Sequence, residues 1–565
     1  MRPLMRRLAL LLPVSLLPVG TSLLHSEPAK APLRFVDIAA EAGITARISH
    51  GGPAKDWIAE ANGSGVAVLD YDNDGWMDIL IVSGASMPEL RRIVAGQTSP
   101  AAAQRIYLYR NLAGNKFDDV TEKSGLTCPY WGAGANAADY DNDGDVDILI
   151  TTIGLDLLYR NDGEGTFTEV GEEAGLKQAP AWHTGSSFGD FDADGDLDLY
   201  VAGYLELETL PMPNKAPVCD YRGLGVFCGP LKLEAANDVL YRNNGNGTFT
   251  DITEGAGLLR ARPAPGFTPV FEDFNQDGKL DIFVSNDSSP NFLYVNQGGG
   301  TFTEDALAAG LGYNADGKKQ ADMGVAVGDY DSDGDLDIFT TTFSEDYFPL
   351  FEQQAPGIYE DVSFQVGLRN ETMPYLGWGC GFSDLDNDGD RDLWVANGHV
   401  YPTAGKLATT TYQQPISVLE NRAGRFDASP QAVKAAPANS YRGAASADFD
   451  NDGKIDLLLL PIDGSPVLLR NDTQTQNSWL GLRLEARQGN RESIGARVEI
   501  VYCGKKQFDT VRNGGGYASR SDPRVHFGLG RCGQAARVTV RWPEGRESVF
   551  EDVEVNQWVK LRRRE

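Results

Sequence analysis

Apolar residues come in short bursts along this chain. DILIV, DILIT, DLYVA, DIFVS, DIFTT, DLWVA and DLLLL are each about one strand long and rich in β-branched, aromatic or leucine side chains. They are too short for helices and lie among glycine and asparagine turns, so each predicts a β-strand. A second run follows, as in LYRN at 158–161 and again at 240–243. Next comes a Gly/Asn turn, NNGNG at 243–247, and then TFTDIT at 248–253, whose alternation suits a half-buried strand. With the glycine-rich run ahead of each acidic stretch, one unit supplies four short antiparallel strands.

A nine-residue acidic element opens each unit's DILIV-like strand, and it occurs seven times. The copies read DYDNDGWMD, DYDNDGDVD, DFDADGDLD, DFNQDGKLD, DYDSDGDLD, DLDNDGDRD and DFDNDGKID, with starts 69, 51, 83, 56, 55 and 64 residues apart. Chance does not produce seven copies, and the unequal spacing marks loop insertions. Four strands per unit, seven times over, predict an all-β chain with a seven-bladed β-propeller. The last unit lacks its TFTDIT strand, and RFVDIAAEAGI at 34–44 resembles the missing piece. The N-terminal strand is therefore expected to complete the seventh blade and leave no free edge.

Positions 1, 3, 5 and 9 of each element carry carboxylates, with Asn275 the one amide substitute, and glycine at position 6 permits the turn that gathers them. Hard oxygen donors around a tight loop suit Ca²⁺ better than Mg²⁺, with position 7 contributing its backbone carbonyl. The expected ligands are Asp70, Asp72, Asp74, Trp76 and Asp78 in the first loop, and Asp139, Asp141, Asp143, Asp145 and Asp147 in the second. The third and fourth offer Asp190, Asp192, Asp194, Asp196 and Asp198, then Asp273, Asn275, Asp277, Lys279 and Asp281. Asp329, Asp331, Asp333, Asp335 and Asp337 follow, then Asp384, Asp386, Asp388, Asp390 and Asp392, and last Asp448, Asp450, Asp452, Lys454 and Asp456. Up to seven Ca²⁺ ions are expected. An EF-hand would need a bidentate Glu at position 12, where this chain has Ile81, Ile150, Val201, Val284, Thr340, Val395 and Leu459.

Charge fits this reading. The 565 residues carry a net charge of −30, and the seven elements alone contain 31 Asp. The acidity is ligand supply, not a polyanionic surface. A pI near 4.6 disfavours nucleic acid as a partner, since a phosphate backbone needs a basic patch.

Arg2, Arg6 and Arg7, the apolar stretch 8–24 and Ala29-Lys30-Ala31 read as a signal peptide over 1–31, so the protein is expected to be secreted or periplasmic, with no stable membrane insertion after its removal. Six cysteines follow, which an exported chain can oxidise. Cys219 with Cys228, and Cys503 with Cys532, are the expected pairs; Cys128 and Cys380 have no obvious partner. Seven residues before each acidic element stand Gly63, Gly132, His183, Gly266, Asp322, Gly377 and Tyr441. The departures from glycine suggest a ligand-binding mouth opposite the calcium loops, lined by His183 and Asp322 with His399 and Asn286. No nucleophile elbow, P-loop or dinucleotide fingerprint is present, so no catalytic residue is assigned.

The acidic elements resemble the FG-GAP (VCBS-type) repeats of integrin-like propellers, over roughly 34–473. SIGARVEI, NGGGYASRSD, VHFGLG and VTVRWPEG, in that order between 493 and 545, look like an ASPIC/UnbV domain. Together they resemble the cartilage-acidic-protein-like family of exported proteins. The resemblance implies calcium in the hairpin loops and a role in adhesion or ligand binding. The expected organisation is a propeller over 32–475 and a small β domain over 478–565. The expected function is an exported calcium-binding module for a protein or carbohydrate ligand; the alternative is an extracytoplasmic polysaccharide hydrolase or lyase that uses the propeller mouth.

Overall fold

The computed structural model describes residues 32–97, 105–176, 180–210, 218–259 and 263–563. The expected signal peptide lies outside them. Pro32–Glu565 form one compact unit. The structure is all-β, and no helix among the described residues is long and apolar enough to cross a membrane.

The four-strand pattern recurs. In the first unit Val66–Leu69, Asp78–Val82, Ile106–Asn111 and Phe117–Asp119 pair in chain order as an antiparallel sheet. The first strands of the later units are Trp131–Ala138, Ala181–Gly189, Gly266–Glu272, Val325–Gly328, Gly377–Ser383 and Tyr441–Ala447. The second and third units merge into one eight-stranded sheet, because Ala181 and Trp182 pair with Gly154 and Ile153. The last sheet takes its outer strand from the N-terminus: Phe35, Val36 and Asp37 lie opposite Asn471, Arg470 and Leu469. Its sequence predicts this pairing.

The first strand of each unit touches the first strand of the next, and that of the seventh touches that of the first. These inner strands are almost wholly buried, and apolar clusters fill the space between neighbouring sheets. Each acidic element joins a first strand to a second. All seven elements therefore lie at one end of the strands, and the starts of the first strands lie at the other.

The C-terminal segment forms two further sheets. One pairs Lys505–Thr510, Arg497–Tyr502, Ala536–Arg541 and Glu547–Val553; the other pairs Val525–Gly530, Ser478–Glu485 and Trp558–Arg562. Their core, including Leu480, Val538 and Trp542, is continuous with Tyr140, Leu149 and Phe188 of the second and third units. Disulfides join Cys219 to Cys228 and Cys503 to Cys532, while Cys128 and Cys380 are buried thiols.

Between the two C-terminal sheets, residues 513–522 cross the ring of first strands. Asn513 accepts from the Phe188 amide at 3.0 Å and donates to the Ala137 carbonyl at 2.8 Å. Gly514 bridges to Val270, and Gly516 exchanges both backbone bonds with Val325. Ala518 accepts from Ala135, Arg520 exchanges bonds with Val66 and Val68, and Asp522 donates to Ser446. This strap thus satisfies backbone groups on the first strands of six units, groups that would otherwise be buried without partners. Gly514 has φ +112, and a Cβ there would lie 2.7 Å from Ser187 Oγ and 2.8 Å from the Pro269 carbonyl, so the close approach needs glycine.

Candidate functional site

The seven acidic elements share one hydrogen-bond scheme. The position-6 glycine amide donates to Oδ2 of the position-1 Asp in every loop, at 2.8–3.2 Å. The position-7 amide donates to Oδ1 of the position-5 Asp, at 2.9–3.0 Å. Glycine at position 6 has φ between +82 and +105 throughout, and position 4 is also left-handed, from Asn73 to Asn451. Asparagine tolerates that region better than most residues, which explains why it holds position 4 in four of the seven loops.

The position-9 Asp is buried at the start of each second strand. Its Oδ1 accepts an amide from the end of the third strand: Asn111, Asn161, Asn243, Asn296, Gln353, Asn421 or Asn471, at 2.7–3.0 Å. The same residue's side-chain amide reaches back to the previous unit's loop. Asn161 donates to Tyr71, Asn243 to Tyr140, Asn296 to Phe191, Gln353 to Phe274, Asn421 to Tyr330 and Asn471 to Leu385, at 2.6–2.8 Å. Asn111 closes the series with a 2.9 Å bond to Phe449 of the seventh unit. This relay was missed in the sequence reading. Its signal is the final residue of each LYRN-like run.

Oxygen atoms from three carboxylates converge within 4.8 Å in the groups Asp70–Asp72–Asp78, Asp139–Asp141–Asp147, Asp190–Asp192–Asp194, Asp329–Asp331–Asp333 and Asp384–Asp386–Asp392. Such groups can hold a metal ion. Oδ1 of Asp70, Asp139 and Asp450 and Oδ2 of Asp281 and Asp456 are buried without a donor among the described residues. Burial, and then neighbouring carboxylates, lift Asp139 to about 8. Burial is also the main cause for Asp78 at about 8, Asp337 at about 9, and Asp190, Asp281, Asp329 and Asp448 at about 7. Buried, mutually repelling carboxylates with free lone pairs fit a hard cation. Some loops also hold a cationic side chain: Arg110 meets Asp72 at 2.6 Å, Lys279 meets Asp277 at 2.6 Å, and Arg483 pairs with Asp70.

The C-terminal segment covers this end. It bonds the position-6 carbonyl of four loops: Asn490 at Gly195, Arg497 at Gly334, Gln507 at Gly389 and His526 at Gly453. Trp558 donates to Asp448 at 2.8 Å. His526 is held neutral, lowered to about 4 chiefly by burial.

At the opposite end, the four residues expected to line a mouth are buried, which corrects that expectation. His183 Nδ1 lies 2.7 Å from Asp156 Oδ2, and His399 Nδ1 accepts from the Tyr401 amide at 3.0 Å. Asn291 accepts from the Asn286 amide and donates to Asp322 at 2.7 Å. Asn286 donates to the Pro290 carbonyl. All four are at most 3% exposed and brace the loops from behind. His183 and Asp322 depart from glycine because they carry loop-bracing bonds. The residues that line an opening here, a pocket of about 400 Å³, are Tyr221, Phe343 and Asp346, all half-buried, with Phe227, Trp378, Tyr401, Asp287 and Gln320 set more deeply behind them. Of these, Asp287, Gln320 and Tyr401 lie within two residues of the expected Asn286, Asp322 and His399, and Trp378 follows Gly377. Phe343 and Asp346 lie after a second strand, and Tyr221 and Phe227 in the insertion 218–232, where nothing repeats.

The FG-GAP-like repeat family matches residues 93–150, 151–201, 226–284, 273–340 and 384–459, together more than half of the chain. ASPIC and UnbV matches 486–565. Cartilage acidic protein 1 of Mus musculus is 25% identical over 519 residues, 85% of this chain and 70% of that protein. The Homo sapiens protein of the same name is 24% identical over 85% of this chain and 69% of its own length. Solved structures are more distant; one of an Agrocybe aegerita lectin aligns at 16% identity and TM-score 0.35, over 71% of this chain and 86% of that one. Seven acidic loops on one scheme, the four-strand units between them and a C-terminal segment with its own match mean that the chain belongs to the FG-GAP-like repeat family, joined to an ASPIC and UnbV domain, and is homologous to cartilage acidic protein 1.

Proposed function

We propose that the chain is an exported, calcium-loaded seven-bladed β-propeller, built from residues 32–475, that serves as a binding module for an extracellular protein or carbohydrate. The observation that carries this reading is the asymmetry of the two ends. The acidic end repeats one scheme seven times and lies under the C-terminal segment. The other end differs from unit to unit and opens into an aromatic pocket. Recognition of a particular partner needs residues that differ, and repetition suits a shared structural role.

In each loop the side-chain oxygens at positions 1, 3, 5 and 9, all carboxylate except the Asn275 amide, with the position-7 carbonyl, would hold the ion. Bound Ca²⁺ supplies charge neutralisation and oxygen-ligand cross-linking of the hairpin. The chain's own part is to gather those oxygens through the position-4 and position-6 turns. Two disulfides support export into an oxidising compartment.

The test is capture of extracellular proteins and glycans on arrays, by the full chain, in Ca²⁺ and in chelator. Retention of a partner that is lost in chelator and returns with Ca²⁺ is the expected result. No retention of any protein or glycan with Ca²⁺ present overturns the binding reading.

A further inference from the structure

The pocket at the open end is not built by the repeat. Tyr204, Asp287, Phe343 and Tyr401 each follow a second strand or stand at its end, while Tyr221 and Phe227 come from the hairpin closed by Cys219–Cys228. The rings form one contiguous surface. Tyr221 lies 5.7 Å from Phe343 and 5.3 Å from Tyr401, and Phe227 lies 4.9 Å from Tyr401. Tyr221 and Phe343 are half-buried, so ring surface is available to a ligand. Beneath them, Trp378 is packed at 4.8 Å against Tyr517, the tip of the strap that crosses the ring. Tyr517 is fixed there by a 2.9 Å bond to the Asn62 carbonyl. The C-terminal segment therefore supports the pocket from below.

The polar groups are gathered beside the rings. Gln320 is 4% exposed; its Nε2 donates to the Tyr347 carbonyl at 2.9 Å, and its Oε1 has no partner among the described residues. A buried acceptor left without a donor is destabilising, so it suits a donor supplied by a ligand. Asp287 accepts from Tyr204 and Ser288, both at 2.8 Å, and Asp346 is half-buried. Lys319 lines the same pocket; Asp346 feels Lys318 and also the carboxylates of Asp316 and Glu345, which are paired with Arg369 and Arg222, so acids and bases balance around the site. A cationic ligand gains little from a balanced site. A neutral ligand with an apolar face and several hydroxyl donors matches both surfaces.

We propose that this pocket binds a neutral pyranose residue, with its C–H face stacked on Tyr221 and its edge against Phe343, the two rings standing at 74° to each other, and with a hydroxyl donated to Gln320 Oε1. Stacking on ring faces supplies affinity, and the buried acceptor orients the sugar. The proposal rests on the reading of the chain as a binding module and names the class of its ligand.

The test uses the full chain with Ca²⁺ on an array of terminal hexoses, N-acetylhexosamines and 6-deoxyhexoses, beside an array of extracellular proteins. Retention of at least one sugar class is expected, weakened at least tenfold by Tyr221→Ala and by Phe343→Ala with melting unchanged. If Phe343→Ala fails to fold, Phe343→Leu keeps the bulk and removes the ring face. Gln320→Leu is expected to lose sugar binding, with melting lowered by no more than the one bond to the Tyr347 carbonyl that it removes. Protein retention with no sugar retention overturns the sugar ligand and leaves the binding module standing. Sugar retention that none of these variants weakens overturns the pocket. No retention on either array overturns both.

Discussion

At the scale of the residue, asparagine does what the sequence reading did not assign to it. The acidic loops were legible because carboxylates at fixed spacing have a chemistry of their own. Asn111 and its six counterparts were not, because an amide at the end of a strand looks like any turn residue. Their role needs the neighbouring unit, which sequence order alone does not bring close. Asn161 donates to Val146 at 3.1 Å as well as to Tyr71, and accepts from Gly163. Asn161→Ala leaves these buried groups unpaired and is expected to cost about 2–4 kcal/mol in urea unfolding. A cost within about 0.5 kcal/mol, as for surface sites, would remove the relay from the forces that hold the ring.

His183 gives a pH test at the same scale. Burial alone would lower its pKa, but the Asp156 carboxylate outweighs burial and raises it. A histidine raised in the folded state adds stability that is full below its unfolded pKa, about 6.5, and fades as pH rises through the folded value. His183→Gln is therefore expected to destabilise more at pH 5.5 than at pH 9, read from melting curves of both proteins. An equal penalty at both pH values would mean that the imidazole is neutral in the fold.

At the scale of the element, the proposed calcium would compete with protons for each acidic loop. Burial lifts Asp78 to about 8 and Asp337 to about 9 when no cation neutralises them. The folded chain in chelator then binds protons that the unfolded chain has already released. Its stability should fall as pH rises from about 4 towards 9. The proposed calcium would bind the ionised carboxylates, so its stabilising effect should grow over the same range. Melting with and without Ca²⁺ at pH 5, 7 and 9 reads the difference directly. An increment that shrinks with pH would contradict carboxylate ligation. The strands around these loops were legible from short β-branched runs, and so was the N-terminal strand of the last sheet. The mouth residues were not, because a departure from glycine marks a changed packing need and does not say which way the side chain faces.

At the scale of the whole molecule, the C-terminal segment is part of the ring's interior. Its sequence reads as a small separate β domain, and its strands and turns are legible as such. What it contacts is not, since NGGGYASRSD carries no sign that six first strands await its backbone. Gly514→Val places a Cβ at φ +112 against Ser187 and Pro269. It is expected to cost at least about 2 kcal/mol through backbone strain and displaced strap bonds. Hydrogen exchange should then rise at Val270 and Val325, whose strands pair with the strap. Unchanged protection at those amides would show that the strap is dispensable.

Calcium in the acidic loops is the central claim, and the most direct test is metal content together with melting. The purified full chain is dialysed against Ca²⁺, and bound metal is counted by elemental analysis before and after chelation. One site at a hundredfold excess of Ca²⁺ over its Kd adds about 2.7 kcal/mol, so several sites should shift melting strongly. The expected result is several Ca²⁺ per chain, up to seven, a large fall in Tm in chelator, and recovery with Ca²⁺ but not with equal Mg²⁺. A chain that retains no calcium and melts identically in chelator would contradict the claim.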